Sequence, residues 1–282
     1  MTDTLTRQAP ATRDAAELYL GLLKGVLTRS LFDRFYHRLE LPRNDPRRAM
    51  LAPIQRMLSA RHLQLVRVVE PRLRAEGRDW PADAESMIGE KRMDQLHRCI
   101  AEVIREAVPG DLIETGVWRG GAVIFMRAAL EAYGDTTRRV WVADSFQGLP
   151  RPDPRYAADA GDVHHGFESL AVSLEEVQAN FRRYGMLDER VRFLKGWFKD
   201  TLPVAPIERL AVARLDGDMY ESTMDALRAL YPKLSPGGYL IVDDFGTVPG
   251  CAKAVEDYRQ EHGVREPILD IDGWGAYWRR ER

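Results

Sequence analysis

Cysteine is nearly absent from this sequence: Cys99 and Cys251 are the two among 282 residues. Two cysteines so far apart make neither a metal knuckle nor the disulfide framework of a small secreted domain. They are expected as reduced, buried residues. An excess of charge of one sign is lacking as well. Lys and Arg number 41 against 43 Asp and Glu, a net charge of −2. That excludes a globally basic nucleic-acid binder and an acidic tail protein. No apolar run reaches the roughly 18 residues that a membrane span needs. The polar start, residues 1–14, lacks the apolar core of a signal peptide. The expectation is a cytoplasmic protein with a flexible start over residues 1–14.

What is present suffices for a full core, since 45% of residues are hydrophobic. The length suggests one large domain, or one domain with an appendage. Charge is uneven: residues 1–92 hold 17 Lys and Arg against 12 Asp and Glu, leaving 24 against 31 in the rest. The acidic back is where the chemistry is expected.

Residues 15–108 read as a helical region. Leu18, Leu22, Leu23, Val26, Leu27 and Leu31 recur at helical spacing, which favours a packing face over a membrane-surface stripe. A breaker cluster occupies 41–46. Helices are predicted over 54–73 and 93–108, with a polar linker at 78–84 between them. After Pro109-Gly110 the texture changes, and 109–282 reads as a second region. Strands are predicted at 111–117, 139–143, 191–194, 209–215 and 239–242, the last after a turn at 235–238. Helices are predicted at 120–133, 173–184, 222–231 and 249–262. Ser173 and Glu176 are spaced as a capping box. Closing strands are expected at 267–271 and 276–278. Such alternation implies an α/β fold, a doubly wound, mostly parallel sheet that binds ligands beyond the carboxyl ends of its strands. The stretch 147–172 is rich in Pro, Asp, Gly and His and too long for a plain connection. It follows a strand end and reads as a lid, with disorder as the competing reading.

Chemistry-bearing residues gather at the strand ends. The first strand leads into Glu114-Thr115-Gly116-Val117-Trp118-Arg119-Gly120-Gly121. The glycines allow close backbone approach, and the helix start favours an anion or carboxylate. A ligand-free βα turn is the alternative. The second strand ends in Asp144-Ser145, placed to hold ribose hydroxyls or to cap a helix. The third runs into Lys195-Gly196-Trp197-Phe198, where an adenine can lie against Gly196 and Trp197; Phe198 reads better as core. The fourth ends in Asp216-Gly217-Asp218 and the fifth in Asp243-Asp244. Four carboxylates in one cleft repel unless a cation or bound protons compensate. Oxygen ligands with water suit Mg²⁺ or a similar hard ion. Aspartate caps on polar turns are the alternative. His164 and His165 sit in the lid, as substrate contacts or as solvated side chains.

These motifs resemble, as a set, those of the TylF/MycF family of sugar O-methyltransferases. They are Ile113–Gly121 in the sense of IETGVWRGG, 142–150 (VADSFQGLP), 216–223 (DGDMYEST) and 236–245 (PGGYLIVDDF). The resemblance extends through 19–24 (YLGLLK) and 87–93 (MIGEKRM) and spans roughly 18–278. It implies a class I, Rossmann-like methyltransferase fold with a seven-stranded sheet, S-adenosylmethionine as donor and a divalent cation, usually Mg²⁺. By position it makes Asp216, Asp243 and Asp244 metal ligands and Asp218 a general base, with Asp216 as a second candidate for the proton. Glu114, Thr115 and Gly116 match the donor's amino-acid end, Asp144 and Ser145 its ribose, Gly196 and Trp197 its adenine; Asp216 also borders the donor. The implied acceptor is a deoxysugar hydroxyl on a glycosylated natural product. The helical region and lid are implied to shape the acceptor pocket, and the chain is expected as a homo-oligomer, dimer or tetramer.

Three other readings stay open at this level. A catechol or other vicinal diol would use the same aspartates. An NAD-dependent oxidoreductase shares the acidic ribose residue, although the glycine turn departs from its fingerprint. A scaffold protein that has kept the fold without turnover would not need all four aspartates.

Overall fold

The computed structural model describes residues 14–32, 34–38, 41 and 45–281. Most of the expected flexible start, and the middle of the 41–46 breaker cluster, lie outside the described residues. The chain opens with α1 (Ala15–Leu27), capped by the Asp14 carboxylate, which accepts from the Ala16 amide at 3.1 Å. A small hairpin pairs β1 (Phe35–Arg38) antiparallel to β2 (Val66–Val69), with α2 (Arg48–Ser59) between them. The short α3 (Pro71–Ala75) and long α4 (Gly89–Arg105) follow.

The helix predicted over 54–73 is not formed. α2 stops at Ser59, and His62 turns the chain with φ 59°. Two causes act together. Pro71 has no amide hydrogen and would interrupt a continuous helix, so it instead starts α3. The β-branched run at Val66, Val68 and Val69 favours an extended strand with a partner. The N-terminal region is therefore not wholly helical.

The large sheet has seven strands in the order β5-β4-β3-β6-β7-β9-β8. These are β3 (Asp111–Thr115), β4 (Val140–Asp144), β5 (Val191–Lys195), β6 (Leu210–Leu215), β7 (Leu234–Val242), β8 (Leu269–Asp270) and β9 (Ala276–Arg279). β5 to β7 run parallel; β9 is antiparallel to β7 and to β8. The connecting helices are α5 (Gly121–Ala132), α6 (Leu174–Arg183), α7 (Phe198–Thr201), α8 (Tyr220–Leu230) and α9 (Pro249–His262). The capping box at Ser173 forms on its backbone side, with Glu176 N donating to the Ser173 hydroxyl at 3.2 Å. The turn expected at 235–238 lies inside β7, where Gly237 takes φ 84° and the pairing with β6 shifts register.

Alternate strand residues feed two cores. Leu112, Val142, Val212 and Ile241 join one layer with α4 and α5; Ile113, Ala143, Ala213 and Leu240 join the other with α8 and α9. Leu20, Leu23 and Leu27 of α1 belong to the first layer, so the N-terminal region shares its core with the sheet. Cys99 and Cys251 are buried as free thiols, and burial pushes Cys99 up to about 12.

The stretch 147–172 is a loop with single 3₁₀ turns at Ala157–Asp159, His164–Gly166 and Glu168–Leu170. It is tied down. The Asp159 carboxylate accepts from the amides of Tyr220 at 2.6 Å and Glu221 at 3.1 Å, filling the open donors at the start of α8. Trp118 Nε1 donates to the Ser169 carbonyl at 2.8 Å, joining the loop to the β3–α5 turn.

Candidate active site

Register assembles the site. Ala143, Thr115, Leu215 and Val242 are paired across β4, β3, β6 and β7. The next residue on each strand is Asp144, Gly116, Asp216 and Asp243. Four distant motifs thus become one row along the carboxyl edge, where strand order reverses between β3 and β6 and a crevice opens. A cavity of about 590 Å³ lies over this row. Glu114, Gly116, Asp144, Ser145, Trp197, Asp216, Asp218, Asp243 and Asp244 all line it. Thr115 and Gly196 do not. Thr115 is fully buried below the wall, its hydroxyl without a hydrogen-bond partner, and Gly196 bonds through its amide to the Asp144 carbonyl at 2.9 Å. Phe198, expected as core, packs against the second core layer and also reaches the cavity.

Gly116 is required by contact as well as conformation. It takes φ 79°, and a Cβ there would sit 1.6 Å from the Asp216 carbonyl oxygen. The strands carrying the glycine turn and the acid motif therefore touch at this point. Asp144 is held by the turn itself: its carboxylate accepts from the amides of Val117 at 2.8 Å and Phe146 at 2.6 Å. Burial raises its carboxyl, and those amides oppose the rise. Ser145 donates to the Gly148 carbonyl at 2.7 Å, closing the turn into the loop above.

The acids divide into two groups. Asp216, Asp218 and Asp244 each offer an oxygen within 4.8 Å of the others. Burial pushes Asp216 up to about 6, helped by the Asp243 charge and opposed by Arg214. Burial and the Asp216 charge push Asp218 up to about 7. Asp244 is raised well above the usual carboxylate range by burial and by Asp218. Asp243 instead faces two guanidinium groups. Arg92 Nη1 meets it at 2.5 Å, and Arg214 donates to its other oxygen. Arg214 also donates to Glu114 and, at 2.8 Å, to Asp216. Arg92 further donates to the Gly77 carbonyl at 2.8 Å and lies 3.2 Å from Asp272.

Arg92 and Arg214 carry site geometry that sequence reading passed over. A signal existed for Arg214: it is a charged residue inside the otherwise apolar strand LAVARL, and such a residue is buried only when paired. His164 lines the cavity, its Nδ1 2.7 Å from an Asp162 oxygen; that bond raises the imidazole and burial opposes it. His165 is not on the wall, and its Nδ1 is buried without a hydrogen-bond partner. Arg78, Trp80, Met87 and Trp274, from outside the strand-end motifs, also line the wall.

The doubly wound sheet, with a glycine turn, Asp144 and an acid cluster along its carboxyl edge, is the fold of a class I O-methyltransferase. The family model of the macrocin O-methyltransferases, TylF, matches residues 16–280, and the chain belongs to that family. It is 51% identical over 270 residues to 8-demethyl-8-(2,3-dimethoxy-alpha-L-rhamnosyl)-tetracenomycin-C 4'-O-methyltransferase of Streptomyces olivaceus, covering 95% of this chain and 94% of the relative. It is 53% identical over 211 residues to mycinamicin III 3''-O-methyltransferase of Micromonospora griseorubida, covering 73% and 83%. Among solved structures, the O-methyltransferase NovP superposes with a TM-score of 0.82 at 47% identity, over 95% of this chain and all of that one.

Proposed function

We propose that this chain transfers a methyl group from S-adenosylmethionine to a deoxysugar hydroxyl on a glycosylated natural product, with Mg²⁺ or a similar divalent cation. The observation that carries this reading is the carboxylate trio Asp216, Asp218 and Asp244, one cavity wall away from the glycine turn and Asp144. The relatives' named acceptors, a rhamnosyl-tetracenomycin and mycinamicin III, support the sugar. The cavity of about 590 Å³ has to take donor and acceptor together; its acceptor end is edged by the loop at 147–172 and opens to the hairpin side at Trp80, in keeping with a glycoside that carries a substituent.

A hard cation fits these residues. Asp244 has a buried carboxylate oxygen with no hydrogen-bond partner, and all three carboxyls stay raised although Arg214 bonds Asp216 at 2.8 Å. Asp216 and Asp244 are the proposed ligands common to geometry and family resemblance. Asp243 completes the set in the resemblance, and to do so it releases Arg92 or Arg214. When bound, the donor supplies an activated sulfonium methyl, and the cation supplies charge and Lewis acidity beside the acceptor hydroxyl.

The chain's own residues do the rest. Glu114 lies at the donor's amino-acid end and accepts from Arg214; burial pushes its carboxyl up to about 8, and Arg214 opposes the rise. Asp144, held by the turn amides, and Ser145 border the ribose; Trp197, with Gly196 behind it, borders the adenine. Asp218 accepts the hydroxyl proton on its carboxylate while the oxygen bonds to the methyl carbon and the carbon–sulfur bond breaks. Positioning supplies much of the acceleration, because the methyl is already activated. The loop at 147–172 keeps water away. The reading includes a cytoplasmic homo-oligomer, in keeping with Leu18, Leu22, Ile54 and Met57 left exposed on α1 and α2. No described helix is long and apolar enough to cross a membrane.

The acid cluster has a signature in stability. Carboxyls raised in the folded state bind protons that the unfolded chain has released, so the folded chain loses stability as pH rises from about 4 through about 6 to 7. A cation removes that penalty only where the acids are ionised. Mg²⁺ is therefore expected to raise Tm more at about pH 8 than at about pH 5.5 in scanning calorimetry. An equal shift at both values would place the cation elsewhere. The acceptor is tested by mass spectrometry on a panel of 6-deoxyhexosides and catechols with the methyl donor. Methylated glycoside is the expected product; methylated catechol alone would replace the sugar reading with its alternative.

A further inference from the structure

Beside the main cavity lies a second chamber of about 270 Å³ that the donor and acid residues do not enter. It sits where the N-terminal hairpin, the β3–α5 turn and the loop at 147–172 meet. Arg78, Trp80, Met87, Trp118 and Leu170 line both spaces and form the rim between them; His37 and Phe167 close the far side. Trp80 is the centre of the wall. Its ring lies 4.7 Å edge-on from Phe167 and 6.4 Å stacked from His37, measured between centroids.

Two arginines also line this chamber: Arg119 donates to the carbonyls of Ala82 at 3.2 Å and Ala84 at 2.9 Å, and Arg78 lies 3.4 Å from Glu76. The other polar groups are engaged as well. His37 Nδ1 accepts from the Trp80 amide at 3.0 Å. Both oxygens of Asp79 are held by Arg74, at 2.8 Å and 3.0 Å. Trp118 spends its N–H on the Ser169 carbonyl. What remains facing inward is mostly ring and thioether surface. Such a wall, with the Arg78 guanidinium at its edge, suits a flat aromatic ring, which apolar rings and a cation both attract. The main cavity is the opposite, with its carboxylates at the floor.

We infer that this side chamber is a binding subsite for an aromatic ring of the acceptor's aglycone, with Trp80 as its platform. The inference rests on the proposed glycoside methyl transfer: a sugar at the acid cluster passes its substituent over the shared rim. Trp80 is then a specificity-determining residue, outside the proposed donor and acid residues, that acts through the aglycone ring.

The test uses two probes that share a sugar, a 4-methylumbelliferyl 6-deoxyhexoside and the corresponding methyl glycoside, titrated calorimetrically into the full chain. The wild type is expected to bind the aryl glycoside at least about tenfold more tightly, the order of one ring stack with its burial. Trp80→Ala brings the two affinities within about twofold, while Trp80→Phe keeps most of the preference. Affinity for S-adenosylmethionine stays unchanged in both variants, which certifies their folding. Equal wild-type affinities, no aryl glycoside binding up to millimolar concentration, or a preference that survives Trp80→Ala would each overturn the inference. Failure of the methyltransferase reading looks different: the wild type would then not bind the donor at all.

Discussion

Asp244→Asn is expected to reduce methyl transfer by at least about a hundredfold and to weaken Mg²⁺ binding by a similar factor. Donor affinity should stay within about threefold, because the proposed donor contacts come from β3, β4, the turn after β5 and Asp216, and not from Asp244. The variant should fold. Asp244 is buried among like charges, with Asp218 and Asp216 both raising its carboxyl, so a neutral isostere relieves repulsion. Tm without cation should therefore hold or rise, while the Tm gain on adding Mg²⁺ disappears. Calorimetric titration of cation and donor, beside a product assay, reads all of these. Undiminished turnover in the presence of excess chelator would remove the cation from the mechanism.

Asp218→Asn should cost about 10² to 10⁴ in kcat, the usual worth of a positioned general base. Its cation and donor affinities should change little. The wild-type rate should fall on the acid side, where a carboxyl that burial and Asp216 push up to about 7 takes a proton and stops acting as a base. A bound cation lowers that limb, and the variant lacks it. The contrast with Asp244→Asn separates base from ligand. If Asp218→Asn loses Mg²⁺ as fully as Asp244→Asn does, Asp218 is the third ligand. Asp243, paired with Arg92 and Arg214, is then a charge partner that holds the floor of the site. Asp243→Asn in the same titration resolves the two roles.

Much of the site was legible in the sequence because parallel strands of similar length bring their ends to one edge. Asp144, Gly116, Asp216 and Asp243 are each the residue after a paired row, so motif position alone predicts their meeting. The short apolar runs of β3, β4 and β6, buried on both faces and separated by helical stretches, made the sheet legible in the same way. The arginine clamp was not legible. Arg92 comes from α4, 151 residues before Asp243, and nothing local tells a buried arginine on that amphipathic helix from an exposed one. The hairpin is not legible because the apolar spacing of 54–73 fits a helix, while the residues that oppose one, Pro71 and three valines, need the partner strand β1 to take effect. Trp80 stood in a polar linker, where a lone aromatic has no periodicity to declare its role.

The most direct measurement is calorimetric titration of the full chain with S-adenosylmethionine, with NAD as control, each in Mg²⁺ and in EDTA. Binding of the methyl donor in the micromolar range in both solutions, and none of NAD, is the predicted result. A site that ignores the methyl donor, or that takes NAD in its place, would contradict the assignment of Glu114, Gly116 and Asp144, and with it the proposed transfer reaction.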